Sequence, residues 1–199
     1  IAEEHSLKII EDCAQAHGAK YHGDFVGKSG DIGVFSLNVN KSIQSGEGAV
    51  CITENEDLAY RLALIRNHGE AVVGPAGIDN ITNIGGFNYR LTEIQAAIAR
   101  EQLKKLPSLN RHRLDLVETL SDHLRAHPFL LPPEGRERCL STYYVYPLRF
   151  SPNDVDVKRE EFVKVLNKEG AQFYQGYVQP LYLQPLYQKQ QLWKHGYPF

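Results

Sequence analysis

The sequence predicts an α/β fold with a mostly parallel sheet, followed by a small α+β C-terminal domain. Three short apolar runs are typical of buried parallel strands: LKIIED at 7–12, DIGVFSL at 31–37 and GAVCIT at 48–53. A helical pattern with leucine and isoleucine on one face follows them at 56–67. A strand-like segment and an amphipathic helix beyond residue 140 then predict the smaller domain.

The composition limits the partners that the protein is expected to bind. The chain has 199 residues, of which 42% are hydrophobic, and its formal net charge is −2. Because nucleic acids and anionic membranes bind clustered basic residues, neither is predicted as a partner. No apolar stretch approaches the roughly 20 residues of a membrane span. Cys13, Cys51 and Cys139 are too few and too far apart for a disulfide framework, so a reducing, cytoplasmic setting and no metal site are predicted.

Two helices are predicted in the middle of the chain. The first covers 56–67, with Asn55 as its N-cap. A loop rich in glycine and proline at 69–80 separates it from the second. The second begins near Thr92, because the sequence TEIQ has the spacing of a capping box.

Pro107 sets the predicted domain boundary. Proline lacks the backbone N–H that a helix interior needs, so the second helix is expected to end at Leu106. Ser108 is then predicted to cap a third helix. We therefore predict a first domain over 1–107 and a second over 108–199.

The C-terminal part contains one predicted strand and one predicted helix. The segment STYYVYPLRF at 141–150 alternates as a strand does, and 155–170 is an amphipathic helix closed by Gly170. The segment 174–189 is rich in tyrosine, glutamine and proline. We expect it to form an ordered surface loop that presents aromatic rings.

The residues around Lys41 suggest a particular chemistry. Asp12 ends the first apolar run, Ser36 nearly ends the second, and Lys41 follows in a loop that contains Gly46 and Gly48. Taken singly, Lys41 could be an ordinary surface lysine and Asp12 the cap of a turn. Together at one edge of a sheet, an acid, a hydroxyl and an amine match the needs of pyridoxal phosphate. The acid would keep the ring nitrogen protonated, the hydroxyl would bind phosphate, and the amine would form the Schiff base.

Four segments, in order, resemble the signatures of the DegT/StrS-type sugar aminotransferases, a branch of the aspartate aminotransferase superfamily. They read IIEDCAQAHGA, GDIGVFSLNVNKSIQSGEGA, LIRNHG and GFNYRLTEIQAAIAREQL, and they cover residues 9 to 103. The resemblance implies the fold of the pyridoxal-phosphate transferases. Residues 1–107 would then be part of the large cofactor-binding domain, and 108–199 a truncated small domain.

The resemblance also implies roles for individual residues around the cofactor. Lys41 would be the catalytic lysine that carries the cofactor as a Schiff base and moves the proton during transamination. Asp12 would pair with the pyridinium nitrogen, Gln15 would lie near the ring and its hydroxyl, and Ser36 would donate to the phosphate. The resemblance also implies that the related sugar dehydratases have a histidine in place of this lysine.

Further residues are assigned by the resemblance to the dimer interface and to the substrate. Asn88 and Arg90 resemble residues that reach across a homodimer to the cofactor phosphate and the substrate of the neighbouring subunit. Tyr182 stands where relatives often have a substrate-facing histidine. His17 and His68 are expected to have a structural or supporting role rather than a catalytic one.

The function implied is pyridoxal-phosphate-dependent transfer of an amino group, from glutamate, to a nucleotide-linked keto sugar in cell-surface polysaccharide biosynthesis. Two alternatives stay open: a truncated, non-catalytic remnant of the family, and a regulatory protein that binds the cofactor or a sugar. The chain has no methionine and begins at Ile1. The family's large domain begins well before the run at 7–12, so the chain is expected to be a fragment that lacks N-terminal and extreme C-terminal parts. Dimerisation is expected to help cover the surface that this leaves exposed.

Overall fold

The computed structural model describes residues 1–69 and 84–189. Apart from Gly69, the predicted loop at 69–80 lies outside the described residues. In the described part the strands are β1 (Ile10–Asp12), β2 (Lys20–Tyr21), β3 (Asp24–Phe25), β4 (Ile32–Ser36), β5 (Ala49–Ile52), β6 (Leu130–Leu131), β7 (Cys139–Leu140) and β8 (Arg149–Phe150). The α-helices there are α1 (Glu56–Arg66), α2 (Glu93–Leu124), α3 (Arg159–Lys168) and α4 (Pro185–Gln188).

The sheet that carries the candidate site is mixed. Its described strands run in the order β1–β4–β5, and β1 pairs with β4 in parallel, as predicted. The prediction that β5 is also parallel is wrong, because β5 pairs with β4 antiparallel. Residues 37–48 connect these two strands without a helix, and a parallel pair requires a crossover connection. Ile10 in β1 is 64% exposed, so the expected burial of that strand is not found either.

A hairpin that the sequence analysis did not predict joins β2 to β3. Its turn consists of His22 and Gly23, with φ angles of 52° and 93°. Positive φ at both central residues is typical of tight hairpin turns. The strand β2 also pairs with β7, so this small sheet brings the segment around Cys139 to the first part of the chain.

Both predicted helix starts are confirmed. The side chain of Asn55 accepts a hydrogen bond from Leu58 N at 3.0 Å and caps α1. Thr92 caps α2 in a complete capping box: Gln95 N donates to Thr92 Oγ1 at 3.3 Å, and Thr92 N donates to Gln95 Oε1 at 3.2 Å.

The predicted helix break at Pro107 is wrong. Helix α2 runs through Pro107 without interruption. Its missing N–H removes one hydrogen bond, to the carbonyl of Leu103, and a proline ring also crowds that carbonyl, yet the helix continues. Ser108 does not cap a new helix, since its hydroxyl donates to the carbonyl of Lys105 at 2.8 Å within α2.

The chain divides into two compact units. The first contains residues 1–126 and 132–148, and the second contains 127–131 and the chain from 149 onward. Because α2 continues past Pro107, these units do not follow the predicted boundary at 107.

The predicted strand at 141–150 is wrong except for its last two residues. Only Arg149 and Phe150 form a strand, β8, which pairs with β6. Tyr143 has a φ of 47°, which takes the chain out of the extended conformation. Pro147 also lacks the N–H that a strand ladder needs.

The second unit is organised around three aromatic rings. The ring of Phe129 lies edge-on to those of Phe150 and Phe162, with centroids 6.1 and 5.7 Å away. Phe162 comes from α3, which confirms the predicted helix, and Gly170 follows that helix with a φ of 94°. In the tyrosine-rich segment, a 3₁₀ turn at Leu181–Leu183 and the short α4 replace the expected loop.

Few large side chains of the described part are fully enclosed. The buried apolar residues are Cys13, Leu37, Ile43, Leu64 and Leu130. Among residues 1–69 and 84–189, every helix is too short or too polar to cross a membrane.

Candidate active site

Asp12 and Ser36 lie on the same face of the sheet. In the parallel pairing of β1 with β4, Asp12 is directly opposite Val34. Opposed residues of neighbouring strands share a face, and residues two apart along a strand also share one. Ser36 is two residues beyond Val34, so it lies on the same face as Asp12. The usual strand rise and spacing put the two Cα atoms about 8 Å apart. A ligand that contacts both would need a hydrogen-bond donor for the carboxylate of Asp12 at one end and an acceptor for the hydroxyl of Ser36 at the other.

Both residues also shape the turns that follow their strands. The carboxylate of Asp12 accepts a hydrogen bond from Ala14 N at 3.1 Å, and the hydroxyl of Ser36 accepts one from Asn38 N at 3.3 Å. Asp12 is exposed and Ser36 is half-buried. The turn at Asp12 matches the alternative role expected from the sequence, in which Asp12 caps a turn. Both turns are compatible with ligand binding, because each side chain can accept further hydrogen bonds.

Glu11, the neighbour of Asp12, lies on the opposite face and has a structural task. Its carboxylate accepts hydrogen bonds from Gly27 N at 2.9 Å and Gly30 N at 2.7 Å. Burial raises the pKa of Glu11, but the backbone N–H groups of Gly30, Gly27 and Ser29 outweigh it and hold the pKa below its usual range. Glu11 therefore holds the loop around Gly27 against β1, and Asp12 is the carboxylate on the other face of the sheet.

Lys41 lies in a loop that is tied together by its own polar groups. Lys41 N donates to the carbonyl of Asn38 at 2.9 Å. The amide of Asn38 donates to Glu47 Oε1 at 2.7 Å, and its oxygen accepts from Asn40 N at 3.1 Å. Ser45 N donates to the carbonyl of Leu37 at 3.0 Å. This network gives the Lys41 backbone one defined conformation.

The end of the loop is fixed against the start of α2. Gly48 has a φ of 130°, and a Cβ there would lie 2.6 Å from Leu91 Cδ1. The amide of Gln95 donates to the carbonyl of Glu47 at 3.0 Å. The φ of Gly48 favours glycine, whereas a Cβ there would meet only the movable end of the Leu91 side chain.

The Lys41 side chain extends toward an aromatic ring and a buried histidine. Its Nζ is 4.9 Å from the ring centroid of Tyr144. His17 is 3% exposed, and neither of its imidazole nitrogens has a good hydrogen bond among the described residues. Burial lowers the pKa of His17, the nearby backbone of Ser36 opposes this, and the positive charge of Lys41 lowers the pKa further. His17 is thus a neutral, buried neighbour of Lys41, consistent with the structural role expected for it.

A polar network from α2 holds the elements around Lys41. One guanidinium nitrogen of Arg113, Nη1, lies 3.2 Å from Ser42 Oγ, 3.2 Å from Asn110 Oδ1 and 3.3 Å from the carbonyl of Thr142. The amide of Asn110 donates to the carbonyl of His17 at 2.9 Å. Asn110 and Thr142 are buried, so these bonds lie largely away from water.

Asn88 and Arg90 lie on the surface beside the end of α1. Asn88 pairs with Asn67 in an isolated antiparallel bridge, and Arg90 Nη1 donates to Asn67 Oδ1 at 2.8 Å. The neighbouring rings of Phe87 and Tyr89 are stacked 4.9 Å apart, and both are more than half exposed. The predicted contact of Asn88 and Arg90 with a second subunit stays a prediction.

The remaining predicted site residues lie in different parts of the chain. Gln15 is exposed in the turn that follows β1. Tyr182 belongs to the second compact unit and is 68% exposed. Their contacts with cofactor and substrate stay predictions.

The sequence analysis missed Arg113, Asn110 and Tyr144. No motif marks them, because a basic residue on an amphipathic helix and one tyrosine among several are ordinary features. They come next to Lys41 only through contacts between distant parts of the chain.

The comparisons with known proteins identify one family. The model of the DegT/DnrJ/EryC1/StrS aminotransferase family matches residues 1–197. An L-glutamine:2-deoxy-scyllo-inosose aminotransferase of Streptoalloteichus tenebrarius is 39% identical over 166 residues, which are 79% of this chain and 38% of that protein.

Two solved structures extend the similarity to the fold. The crystal structure of S. venezuelae DesV in complex with a ketimine intermediate superposes with a TM-score of 0.80 and 30% identity, over 94% of this chain and 48% of that one. E. coli GDP-4-keto-6-deoxy-D-mannose-3-dehydratase with bound hydrated PLP gives a TM-score of 0.75 and 27% identity, over 86% of this chain and 46% of that one. The predicted aspartate aminotransferase-like fold is confirmed, and the chain spans half or less of the length of these three relatives.

Proposed function

Because the chain belongs to the DegT/DnrJ/EryC1/StrS aminotransferase family, we propose that it supplies the lysine-bearing part of a pyridoxal-phosphate-dependent sugar aminotransferase. The proposed reaction transfers an amino group from glutamate to a nucleotide-linked keto sugar. The observation that carries the proposal is the placement of Asp12 and Ser36 on one face of the sheet, with Lys41 in the loop directly after Ser36.

The chemistry of these residues fits pyridoxal phosphate. When bound, the cofactor supplies a protonated pyridine ring that withdraws electrons from the carbon next to the amino nitrogen. Asp12 offers a carboxylate for the ring nitrogen, and Ser36 offers a hydroxyl for the phosphate. Their separation of about 8 Å suits a ring with a phosphate arm. Gln15, in the turn after Asp12, is proposed to lie beside the ring.

Lys41 is the proposed catalytic residue. Its Nζ must lose a proton before it can bond covalently to a carbonyl carbon. Lys41 is half-buried, beside the neutral His17. The same Nζ would be the group that takes and returns the proton that amino transfer requires at the substrate carbon.

The lysine favours amino transfer over dehydration. The related dehydratases were expected to have histidine at the corresponding position, and this chain has Lys41. We therefore propose a transferase, although one of the similar structures is a dehydratase by name.

The substrate and the amino donor are proposed at the level of chemical class. Tyr182 is proposed to contact the sugar. Because one relative is named for L-glutamine as its donor, glutamate and glutamine should be compared directly. The free thiols of Cys13, Cys51 and Cys139 support the proposed reducing, cytoplasmic setting.

We further propose a homodimer whose sites are shared between subunits. Asn88 and Arg90 are exposed, and the apolar residues beside them, Phe87, Tyr89 and Ile94, are 55%, 65% and 75% exposed. Burial of these side chains against a second copy would provide the driving force. A solution mass near twice that of the chain is the expected result.

The test uses the purified protein and added pyridoxal phosphate. We expect a visible absorbance band, fixed by borohydride on Lys41 as shown by peptide mass spectrometry, and no band in Lys41→Ala. Lys20→Ala is the matched control, because Lys20 also lies over an aromatic ring, that of Phe25. Labelling at another lysine, or a normal band in Lys41→Ala, would contradict the proposal. A normal band without amino transfer to any keto sugar in a panel would select the regulatory alternative.

A further inference from the structure

We propose that Tyr144 and Arg113 position the side chain of Lys41. Tyr144 presents its ring to the Lys41 amine, and Arg113 holds the two segments that carry these residues. This inference rests on the proposed function, in which the Lys41 amine must reach a carbonyl carbon and later a proton. It assigns roles to two residues that no motif marks.

The contact between Lys41 and Tyr144 has the geometry of a cation–π interaction. The distance of 4.9 Å from Lys41 Nζ to the ring centroid is within the 6 Å range of such interactions. Both residues are half-buried, so water screens the attraction less than at an exposed site. A long, flexible side chain thereby gains one preferred position.

The backbone before Tyr144 is held in an unusual conformation. Tyr143 has a φ of 47°, in the left-handed region that a bulky side chain rarely adopts. Such conformations persist where the surroundings enforce them, and they concentrate at functional sites. Here Tyr143 N donates to Ser141 Oγ at 3.3 Å, and the carbonyl of Thr142 accepts from Arg113 at 3.3 Å. These contacts fix the direction in which the chain presents Tyr144.

Arg113 connects both partners of the contact. Its Nη1 is within hydrogen-bond distance of Ser42, the residue after Lys41, and of Thr142, two residues before Tyr144. Asn110 provides a third acceptor for the same nitrogen and is itself tied to the carbonyl of His17. Nη1 has two N–H groups for these three acceptors, so one N–H is shared between two of them. Arg113 is therefore a positioning residue, since it acts on Lys41 through Ser42.

The first measurement detects the contact without any cofactor. Protons above the face of an aromatic ring resonate upfield, so the ε-methylene signals of Lys41 in ¹³C-lysine-labelled protein should be displaced upfield. We expect the displacement in the wild-type protein and in Tyr144→Phe, its loss in Tyr144→Leu, and a reduced displacement in Arg113→Gln. Phe25→Leu, which removes the ring beside Lys20, is the matched control and should leave the Lys41 signals unchanged.

The second measurement detects the consequence for cofactor binding. We expect Tyr144→Leu and Arg113→Gln to weaken the apparent affinity for pyridoxal phosphate about two- to fivefold, because a Lys41 side chain that is already held in one position loses less conformational freedom on binding. Tyr144→Phe should bind as the wild type does. Arg111→Gln changes an exposed arginine of the same helix and should have no effect. If Arg113→Gln fails to fold, Arg113→Lys replaces it, with the expectation of an intermediate loss.

The outcomes separate this inference from the proposed function. An undisplaced Lys41 signal in the wild type, or an equal displacement in Tyr144→Leu, would overturn the positioning role. So would unchanged cofactor affinity in both Tyr144→Leu and Arg113→Gln while borohydride still labels Lys41. If borohydride never labels Lys41, the proposed function fails, and the chemical shifts still decide whether Tyr144 and Arg113 position that side chain.

Discussion

Replacing Glu11 by glutamine should destabilise the protein without touching the candidate site. Glu11 accepts hydrogen bonds from Gly27 N at 2.9 Å and Gly30 N at 2.7 Å. In Glu11→Gln the charge is lost, and the new amide nitrogen faces one of two backbone donors that it cannot satisfy. The loop around Gly27 then loses part of its attachment to β1.

The size of the loss follows from the two hydrogen bonds. Hydrogen bonds to charged groups contribute about 1.5–3 kcal/mol, and an orphaned donor costs a similar amount. Glu11 is half-buried, so water can reach the freed N–H and offset part of this. We expect Glu11→Gln to lower the free energy of unfolding by about 2 kcal/mol, equivalent to about 4–8 °C in the melting temperature of a domain this size.

The stability lost in Glu11→Gln should depend on pH. Burial raises the pKa of Glu11, but the backbone donors outweigh it, so the pKa is lower in the folded than in the unfolded protein. The ionised carboxylate therefore stabilises the fold fully above the unfolded-state pKa, and this contribution disappears as the pH falls through the folded-state pKa. The difference between wild type and Glu11→Gln should be largest near neutrality and vanish in acid.

Urea unfolding followed by circular dichroism, from pH 7 downward, measures both effects. Glu54→Gln is the control, because Glu54 forms an exposed ion pair with Lys28 at 3.5 Å, and its loss should cost under about 0.5 kcal/mol. The reasoning is refuted if the two variants lose equal stability, or if the difference at Glu11 persists unchanged into acid.

Two further substitutions test the packing of each compact unit. Gly33→Ala should cost more than about 3 kcal/mol or prevent folding, since the added Cβ would lie 2.4 Å from the carbonyl oxygen of Gly27; Gly135→Ala, with nothing within 4 Å, should change the urea midpoint little. Phe162→Ala should lower the free energy of unfolding by about 2–3 kcal/mol, because it removes a ring packed against Phe129; a loss below about 0.5 kcal/mol would show that the three rings do not stabilise the unit.

Local signals in the sequence predicted the starts of elements better than their ends or their partners. Asn55 and Thr92 cap helices through contacts with residues three positions away, which the sequence displays directly. Strand direction is not local in this way: β5 has the composition of a parallel strand, and only its short connection to β4 makes it antiparallel. The family and the fold were predicted from four ordered motifs and are confirmed by the comparisons.

Pro107 shows how tertiary contacts override a strong local signal. A proline costs a helix about 3 kcal/mol in isolation, which predicts a break. In the fold, Asn110 and Arg113 of the following turns bond to His17, Ser42 and Thr142. These bonds require the helix to continue with its register intact, so they oppose a break that the isolated sequence would favour. The same bonds explain why the residues supporting Lys41 were missed, since His17 and Asn110 are 93 positions apart.

The adjacent acids Glu11 and Asp12 can be told apart only by the face of the sheet on which each side chain lies. Both are carboxylates at the end of one strand, and composition gives no reason to prefer either as a ligand for a cofactor. Strand alternation sends them to opposite faces. On one face, backbone N–H groups already engage Glu11; on the other, Asp12 shares the sheet surface with Ser36.

If this assignment is correct, Asp12→Asn should weaken cofactor binding and leave the urea midpoint nearly unchanged. Glu11→Gln should lower the urea midpoint and leave cofactor binding nearly unchanged. The opposite pattern would move the site to the other side of the sheet.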